Sequence, residues 1–100
     1  MAYVVCATWK ARPGTEKRIQ DILAEMVKHT RQEPGCLIYQ PHRSLEDPTT
    51  FLLYEQYVDK AAFDTHIASD YFKRLVLGEA VSILEGRHRT AYSTLDFESG

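Results

Sequence analysis

The sequence predicts an α+β protein of the ferredoxin-like class, in which a four-stranded antiparallel sheet carries both helices on one face. Two observations predict this class. Segments rich in β-formers and segments with helical periodicity follow one another in the order β-α-β-β-α-β, and a Pro-Gly turn lies at each end of the first helical segment. In this topology the third strand lies between the first and the second. We assign residues 1–100 to a single domain with a polar tail at about 96–100.

The first strand and first helix have clear boundaries in the sequence. Residues 3–10 are rich in β-formers and end at the turn Arg12-Pro13-Gly14, after which Thr15 is available to cap a helix. The helix ends at Glu33-Pro34-Gly35, because the residue before a proline disfavours the α conformation. Its apolar face recurs at spacings of three and four residues: Ile19, Ile22, Leu23, Met26, Val27 and Thr30.

The second and third strands, residues 36–43 and 51–58, form a hairpin with a long loop at residues 44–50. The third strand is apolar or aromatic on both faces, which is typical of a strand that is covered on both sides. The two helices cover only one face of the sheet. We therefore expect a second copy to cover the other face, with the sheets of two subunits packing into a dimeric α+β barrel.

The second helical region has two start signals and one predicted end. Asp59 is a good N-cap, and Ser69 with Asp70 offers a second cap, so the helix is predicted to break near Ala68. Gly86 is predicted to end the helix, and residues 87–95 are predicted to form the last strand. The apolar positions at helical spacing after the second cap are Phe72, Leu75, Val76, Ala80 and Ile83.

Composition and cysteine usage exclude several classes of partner. The net charge is −2 and the cationic residues are scattered, so we expect no nucleic-acid partner. The apolar N-terminus is too short to span a membrane and lacks the features of a signal peptide, so we expect a cytoplasmic protein without a membrane partner. Cys6 and Cys36 would lie on strands separated by a third strand, about 10 Å apart, which is too far for a disulfide.

Several short motifs stand in an ordered series along the chain. They are K-A-R-P-G-T-E at 10–16, E-P-G-C at 33–36, the pair Tyr54-Glu55 in an aromatic strand, and H-x-x-S at 66–69. Together they resemble the antibiotic biosynthesis monooxygenase (ABM) domain. The resemblance implies a dimeric α+β barrel and, in several members, oxygenation of quinols or polycyclic aromatics without metal, flavin or haem. Other members degrade haem or isomerise small signalling sugars, so the fold does not fix the reaction.

The haem-degrading branch can be compared residue by residue. Its members carry an asparagine on the first strand and a histidine ligand to iron after the H-x-x-S position. This sequence contains no asparagine, and the corresponding positions hold Ala7 and Val76. His29, His42 and His88 are spread along the chain without metal-binding spacing. We therefore expect neither a cofactor nor a metal.

His66 is the candidate acid/base of the predicted site. A cofactor-free oxygenase must deprotonate its substrate to make it electron-rich, and histidine has a pKa suited to that task. Glu55 is the candidate that orients His66. The residues predicted to wall the substrate pocket are aromatic: Trp9, Tyr39, Tyr54, Tyr57, Phe63 and Phe72. The alternative for each residue is structural, with His66 capping polar groups, Glu55 pairing with a cation and the aromatic residues filling the core.

The leading functional hypothesis is a cofactor-independent monooxygenase that uses molecular oxygen on a small aromatic or quinol-like substrate. One alternative is an isomerase or lyase of a small oxygenated metabolite, which needs the same proton transfers without oxygen. The other is a non-catalytic dimer that binds a small ligand. Arg87 and Arg89 share one side of the last strand. In a dimer they could reach the site of the other subunit or form ion pairs at the interface, and we favour the ion pairs.

Overall fold

A computed structural model describes residues 1–97 and gives the chain a four-stranded antiparallel sheet in the order β2-β3-β1-β4. The predicted α+β class and the central position of the third strand are confirmed. Part of the predicted polar tail, residues 98–100, lies outside the described residues. In chain order the elements are β1 (Tyr3–Ala11), α1 (Glu16–Thr30), β2 (Cys36–Arg43), β3 (Thr50–Tyr57), α2 (Lys60–Ile67), α3 (Asp70–Phe72), a π-helical segment (Lys73–Ala80), α4 (Val81–Ile83) and β4 (Leu84–Ser93).

One face of the sheet is covered by the helices and forms the core. Side chains alternate along a strand, so residues that pair across strands share a face. Glu55 of β3 lies opposite Val5 of β1 and Tyr39 of β2, and all three are buried on the helix side. The apolar face predicted for α1 packs there, with Ile19 and Met26 among its fully buried residues.

Thr15 occupies the N-cap position of α1, but the predicted cap hydrogen bond does not form. The Thr15 hydroxyl instead donates to the carbonyl oxygen of Arg12 at 2.7 Å. The carboxylate of Glu16 accepts a hydrogen bond from the Gly14 amide at 3.0 Å. Side chains in the turn therefore satisfy polar groups just ahead of the helix rather than the first amides within it.

The two predicted caps of the second helical region are present. The Asp59 carboxylate accepts from the amide of Ala62 at 2.9 Å, and the Ser69 hydroxyl accepts from the amide of Phe72 at 3.2 Å. Helix α2 ends at Ile67, so the predicted break near Ala68 is confirmed. After the break, α3, the π-helical segment and α4 follow one another, and we call residues 70–83 the composite helix.

The predicted end of this helix at Gly86 is wrong. The composite helix ends at Ile83, and β4 begins at once with Leu84, so Gly86 lies inside the strand. Gly86 pairs with Lys10 of β1, and a register shift in β1 lies next to this pair. Gly86 does not mark the helix end because it lies in an irregular stretch of strand pairing rather than in a helix cap.

The face of the sheet away from the helices carries exposed apolar side chains. Ile38 is 40% exposed and Leu52 is 41% exposed, and Tyr92 of β4 is also exposed. The predicted two-sided character of β3 is confirmed, since Leu52 and the half-buried Tyr54 lie on this face while Leu53 is buried on the other. Ile38, Leu52 and Tyr92 therefore remain available for contact on this face of the isolated chain.

The state of the two cysteines and the lengths of the helices can be read from the described residues. Cys6 and Cys36 are free and half-buried, on strands that β3 separates. Burial raises the pKa of the Cys36 thiol to about 11, so it is protonated near neutral pH. Within residues 1–97, no helix combines the length and the apolar character that crossing a membrane requires.

Gly35 lies just before β2, and its backbone packs closely against Ala62 of α2. A methyl group added at Gly35 would lie 2.5 Å from Cβ of Ala62, so we expect Gly35→Ala to lower the free energy of unfolding by about 1–3 kcal/mol. The measurement is urea denaturation. The matched control is Gly86→Ala, where a methyl group meets nothing within 4 Å and stability should fall little or rise slightly. Equal losses in the two variants would contradict this account of the contact.

Candidate active site

A cavity of about 400 Å³ lies between the helix-covered face of the sheet and the helices α2 and α3 with the π-helical segment. The sheet supplies residues from all four strands, including Tyr39 from β2 and Arg89 from β4. Aromatic and aliphatic side chains make up most of the wall, and the ionisable side chains His66, Glu55, Arg87 and Arg89 are among its other residues. A largely apolar cavity with a few converging polar groups is the usual form of a small-molecule site.

His66 reaches the cavity from the last turn of α2 and is held on one side by Glu33. Its Nδ1 lies 3.0 Å from Oε2 of Glu33, which belongs to the turn between α1 and β2. The hydroxyl oxygen of Tyr71 is 3.4 Å from the same nitrogen. Only 1% of His66 is exposed to solvent and Glu33 is half-buried, so this contact is a partly buried, charge-assisted hydrogen bond.

The partner at Nδ1 determines which nitrogen of His66 carries the proton. A carboxylate can only accept hydrogen bonds, so Nδ1 must donate to Glu33. In the neutral imidazole, Nε2 then has a free lone pair. Burial lowers the pKa of His66 below its usual value, although the hydrogen bond to Glu33 opposes this shift. His66 is therefore neutral near pH 7, with Nε2 available as a base.

Glu55 is the second ionisable group of the cavity. Its Oε1 accepts a hydrogen bond from the hydroxyl of Tyr57 at 2.6 Å, and the residue is 5% exposed. The same oxygen lies 3.9 Å from Nε2 of His66, which is beyond hydrogen-bonding distance. Burial raises the pKa of Glu55 to about 7, while the Tyr57 hydrogen bond and the positive charge of Arg89 work in the opposite direction. A carboxyl group in this range can both accept and return a proton near neutral pH.

The structure separates the predicted aromatic residues into three groups. Four line the cavity: Trp9, Tyr39, Phe63 and Phe72. Tyr57 is fully buried on the same side of the sheet and contacts Glu55 instead of the cavity wall. Tyr54 requires a correction, because strand alternation places its side chain on the opposite face, where its hydroxyl accepts a hydrogen bond from Gln56.

Glu33 is the site residue that the sequence reasoning missed. Glu33 was interpreted only as part of the turn that ends α1. The structure makes it the hydrogen-bond partner of His66, while Glu55, the predicted orienting carboxylate, lies near the other ring nitrogen. Its place in the E-P-G-C motif is the available signal, but a sequence separation of 33 positions hides the proximity of Glu33 and His66.

Comparisons with known proteins agree with the fold. The family model described as antibiotic biosynthesis monooxygenase matches residues 2–76. The chain belongs to the antibiotic biosynthesis monooxygenase family. A Mycobacterium tuberculosis protein with a provisional monooxygenase name is 31% identical over 68 residues, which are 68% of this chain and 66% of that protein. An uncharacterised Synechocystis protein is 27% identical over 73 residues, which are 73% of this chain but 50% of the relative. This chain thus spans about half the length of the cyanobacterial protein.

Solved structures share the fold over most of their length. The structure of the same Mycobacterium tuberculosis protein has a TM-score of 0.89 at 25% identity and covers 99% of this chain and 100% of that chain. A Pseudomonas aeruginosa protein has a TM-score of 0.87 at 28% identity and covers 95% of both chains. The ABM fold of this chain is therefore shared with solved relatives from two bacteria.

Two residues of the cavity wall occupy the positions where the haem-degrading branch is expected to carry its first-strand asparagine and its histidine ligand. They are Ala7 and Val76, whose hydrocarbon side chains cannot donate to a haem or bind its iron. In the described part of the chain, no group of three or more histidine, cysteine, aspartate or glutamate side chains is arranged to hold a metal ion.

The raised pKa of Glu55 gives a prediction for stability against pH. Because its folded pKa of about 7 lies above the usual 4.5, Glu55 contributes to stability fully below about pH 4.5 and loses that contribution as the pH rises through about 7. Relative to the wild type, Glu55→Gln should therefore gain up to about 3 kcal/mol in free energy of unfolding between pH 4.5 and pH 8. Urea denaturation across this range measures the gain.

The matched control for this prediction is Glu46→Gln, which changes an exposed carboxylate far from the cavity in the loop before β3. Its difference from the wild type should stay constant within about 0.5 kcal/mol. A Glu55→Gln difference that does not change with pH would show that Glu55 keeps its usual pKa in the folded protein.

Proposed function

We propose that this protein is a cofactor-independent monooxygenase that oxygenates a small hydroxyarene and uses His66 as its acid/base. The observation that carries the proposal is the hydrogen bond between the buried His66 and Glu33 at the wall of an aromatic cavity, with Glu55 beside the free ring nitrogen. Membership of the ABM family and a relative with a provisional monooxygenase name support the reaction class.

The reaction requires a base because triplet oxygen reacts with a closed-shell molecule only after electron transfer. Removing the proton from a hydroxyarene makes the ring an electron donor, and oxygen then attacks the ring carbon. One oxygen atom stays on that carbon and the other leaves as water, so the substrate supplies all the electrons and becomes a quinone. The protein must therefore provide a base and a dry cavity that holds the ring.

The distance between His66 and Glu55 suits a substrate hydroxyl that contacts both groups. Nε2 and Oε1 are 3.9 Å apart, so one oxygen atom can lie about 2.8 Å from each of them. We propose that the hydroxyl donates its proton to Nε2 of His66. Glu55, when protonated, donates a hydrogen bond to the resulting aryloxide.

The same arrangement stabilises the charged state of His66 that proton transfer creates. The imidazolium would keep its hydrogen bond to Glu33 at Nδ1, as the carboxylate of a catalytic triad holds its histidine. Glu33 is therefore proposed as a positioning residue, and His66 as the group that touches the substrate. The base role of His66 does not depend on a hydrogen bond from Glu55.

We further propose that the active form is a homodimer. The support is the sheet face with exposed Ile38, Leu52 and Tyr92, which a second sheet would cover. The cavity lies on the opposite, helix-covered face, so each subunit would keep its own His66 and Glu55.

Oxygen consumption tests the proposed function. Metal-free protein is mixed with 1-naphthol or 1,4-dihydroxynaphthalene, and oxygen uptake above the rate without enzyme is recorded. We expect His66→Gln to lower kcat by about 10²–10⁴-fold, because general-base catalysis is lost. We expect Glu33→Gln to lower it less and to shift the pH profile, because Glu33 raises the pKa of His66.

The control variant is Glu46→Gln, since Glu46 is exposed in the loop before β3 and does not line the cavity. It should keep the wild-type rate, and circular dichroism should confirm that every variant is folded. Unchanged uptake in His66→Gln would rule out the acid/base role. Turnover under anaerobic conditions would instead indicate an isomerase or lyase, and saturable binding without turnover would indicate a binding protein.

A further inference from the structure

Two arginines of β4 lie at the cavity, and the proton-transfer chemistry does not use them. Arg87 pairs with Trp9 and Arg89 pairs with Ala7 across the β1–β4 ladder, so both side chains lie on the helix side of the sheet. Both line the cavity together with Phe63. The guanidinium carbon of Arg89 lies 5.0 Å from the centre of the Phe63 ring, which is within the range of a cation–π contact.

Neither guanidinium has an anionic partner among residues 1–97. Three other arginines do have partners: Arg18 pairs with Glu79, Arg31 donates to the carbonyl of Tyr39, and Arg43 donates to the carbonyl of Pro48. Arg12 and Arg74 also make no such contact within residues 1–97, but they do not line the cavity. Arg87 and Arg89 make no side-chain hydrogen bond and no ion pair within the described chain. Two guanidinium groups at a largely apolar cavity therefore retain their full capacity to bind an anion.

The charges that line the cavity do not balance. Arg87 and Arg89 carry two positive charges, while Glu55 is the one carboxyl group among the lining residues. Glu55 already accepts a hydrogen bond from Tyr57 and lies beyond ion-pair distance of both arginines. Both arginine side chains are exposed, so solvent screens their charges and an anionic ligand in the cavity can reach them.

We infer that the substrate is an aromatic carboxylate, a hydroxyarene whose carboxylate is bound by Arg89 and Arg87. The inference rests on the proposed function, since it concerns the same cavity. A planar guanidinium matches a carboxylate in a two-point hydrogen bond, and its stacking on Phe63 restricts its orientation. The ring of the substrate would then lie against the aromatic wall.

Anchoring the carboxylate at β4 would also orient the reacting group. The arginines enter the cavity from β4, whereas His66 enters from α2 and Glu55 from β3. A ring that bridges these elements presents its hydroxyl to His66 while its carboxylate stays at the arginines. Arg87 and Arg89 are thus specificity residues, and they take no part in proton transfer.

The test compares two ligands that differ only in the carboxylate, 1-hydroxy-2-naphthoate and 1-naphthol. Binding is measured without oxygen by isothermal titration calorimetry, and quenching of Trp9, the one tryptophan of the sequence, locates the ligand in the cavity. We expect the wild type to bind the carboxylate at least about 10-fold more tightly. Arg89→Gln and Arg87→Gln should each weaken carboxylate binding by about 10- to 100-fold and naphthol binding by less than about 3-fold.

Arg74→Gln is the matched control, because Arg74 is exposed and does not line the cavity. It should leave both affinities unchanged, and size-exclusion chromatography should show the same assembly for all variants. Equal loss for the two ligands, no loss in either cavity variant, or no binding of 1-hydroxy-2-naphthoate to the wild type would overturn the inference. Oxygen uptake with neutral hydroxyarenes, abolished by His66→Gln, would still support the proposed function after such a result.

Discussion

The hydrogen bond between the buried His66 and the half-buried Glu33 is the interaction on which the site depends. It joins the end of α2 to the turn between α1 and β2, two segments that are far apart in sequence. A buried imidazole without a partner would destabilise the fold, and a partly desolvated carboxylate without a partner would add to that cost. Pairing them satisfies both groups, fixes the orientation of the ring and leaves Nε2 toward Glu55.

Local structure around this pair determines which side chains form the cavity wall. The caps at Asp59 and Ser69 start α2 and the composite helix separately, and the break between them places His66 on the last turn of α2. The π-helical segment then supplies Val76 and Leu77 to the opposite wall. Interruptions of regular helix are common at functional sites, and here two of them border the same cavity.

Much of the fold could be predicted from the sequence because the signals are local. Alternation along β3, the helical spacing in α1 and the two caps each act within a few residues, and the structure confirms them. The end of the composite helix was misplaced at Gly86, since a glycine signal does not distinguish a helix cap from an irregular strand pair. The partner of His66 was missed for a different reason: only the three-dimensional packing of α2 against the E-P-G turn brings Glu33 to Nδ1. Tyr54 was assigned by residue type, although strand parity places it on the other face.

The tautomer of His66 is the property that tests the account most directly. Nitrogen-15 NMR of protein labelled at histidine, assigned by comparison with His66→Gln, reports which ring nitrogen carries the proton at pH 7. The account predicts a neutral ring with hydrogen on Nδ1, bound to Glu33, and an unprotonated Nε2. A proton on Nε2, or an imidazolium at pH 7, would contradict it, because His66 would then present no basic nitrogen to the cavity.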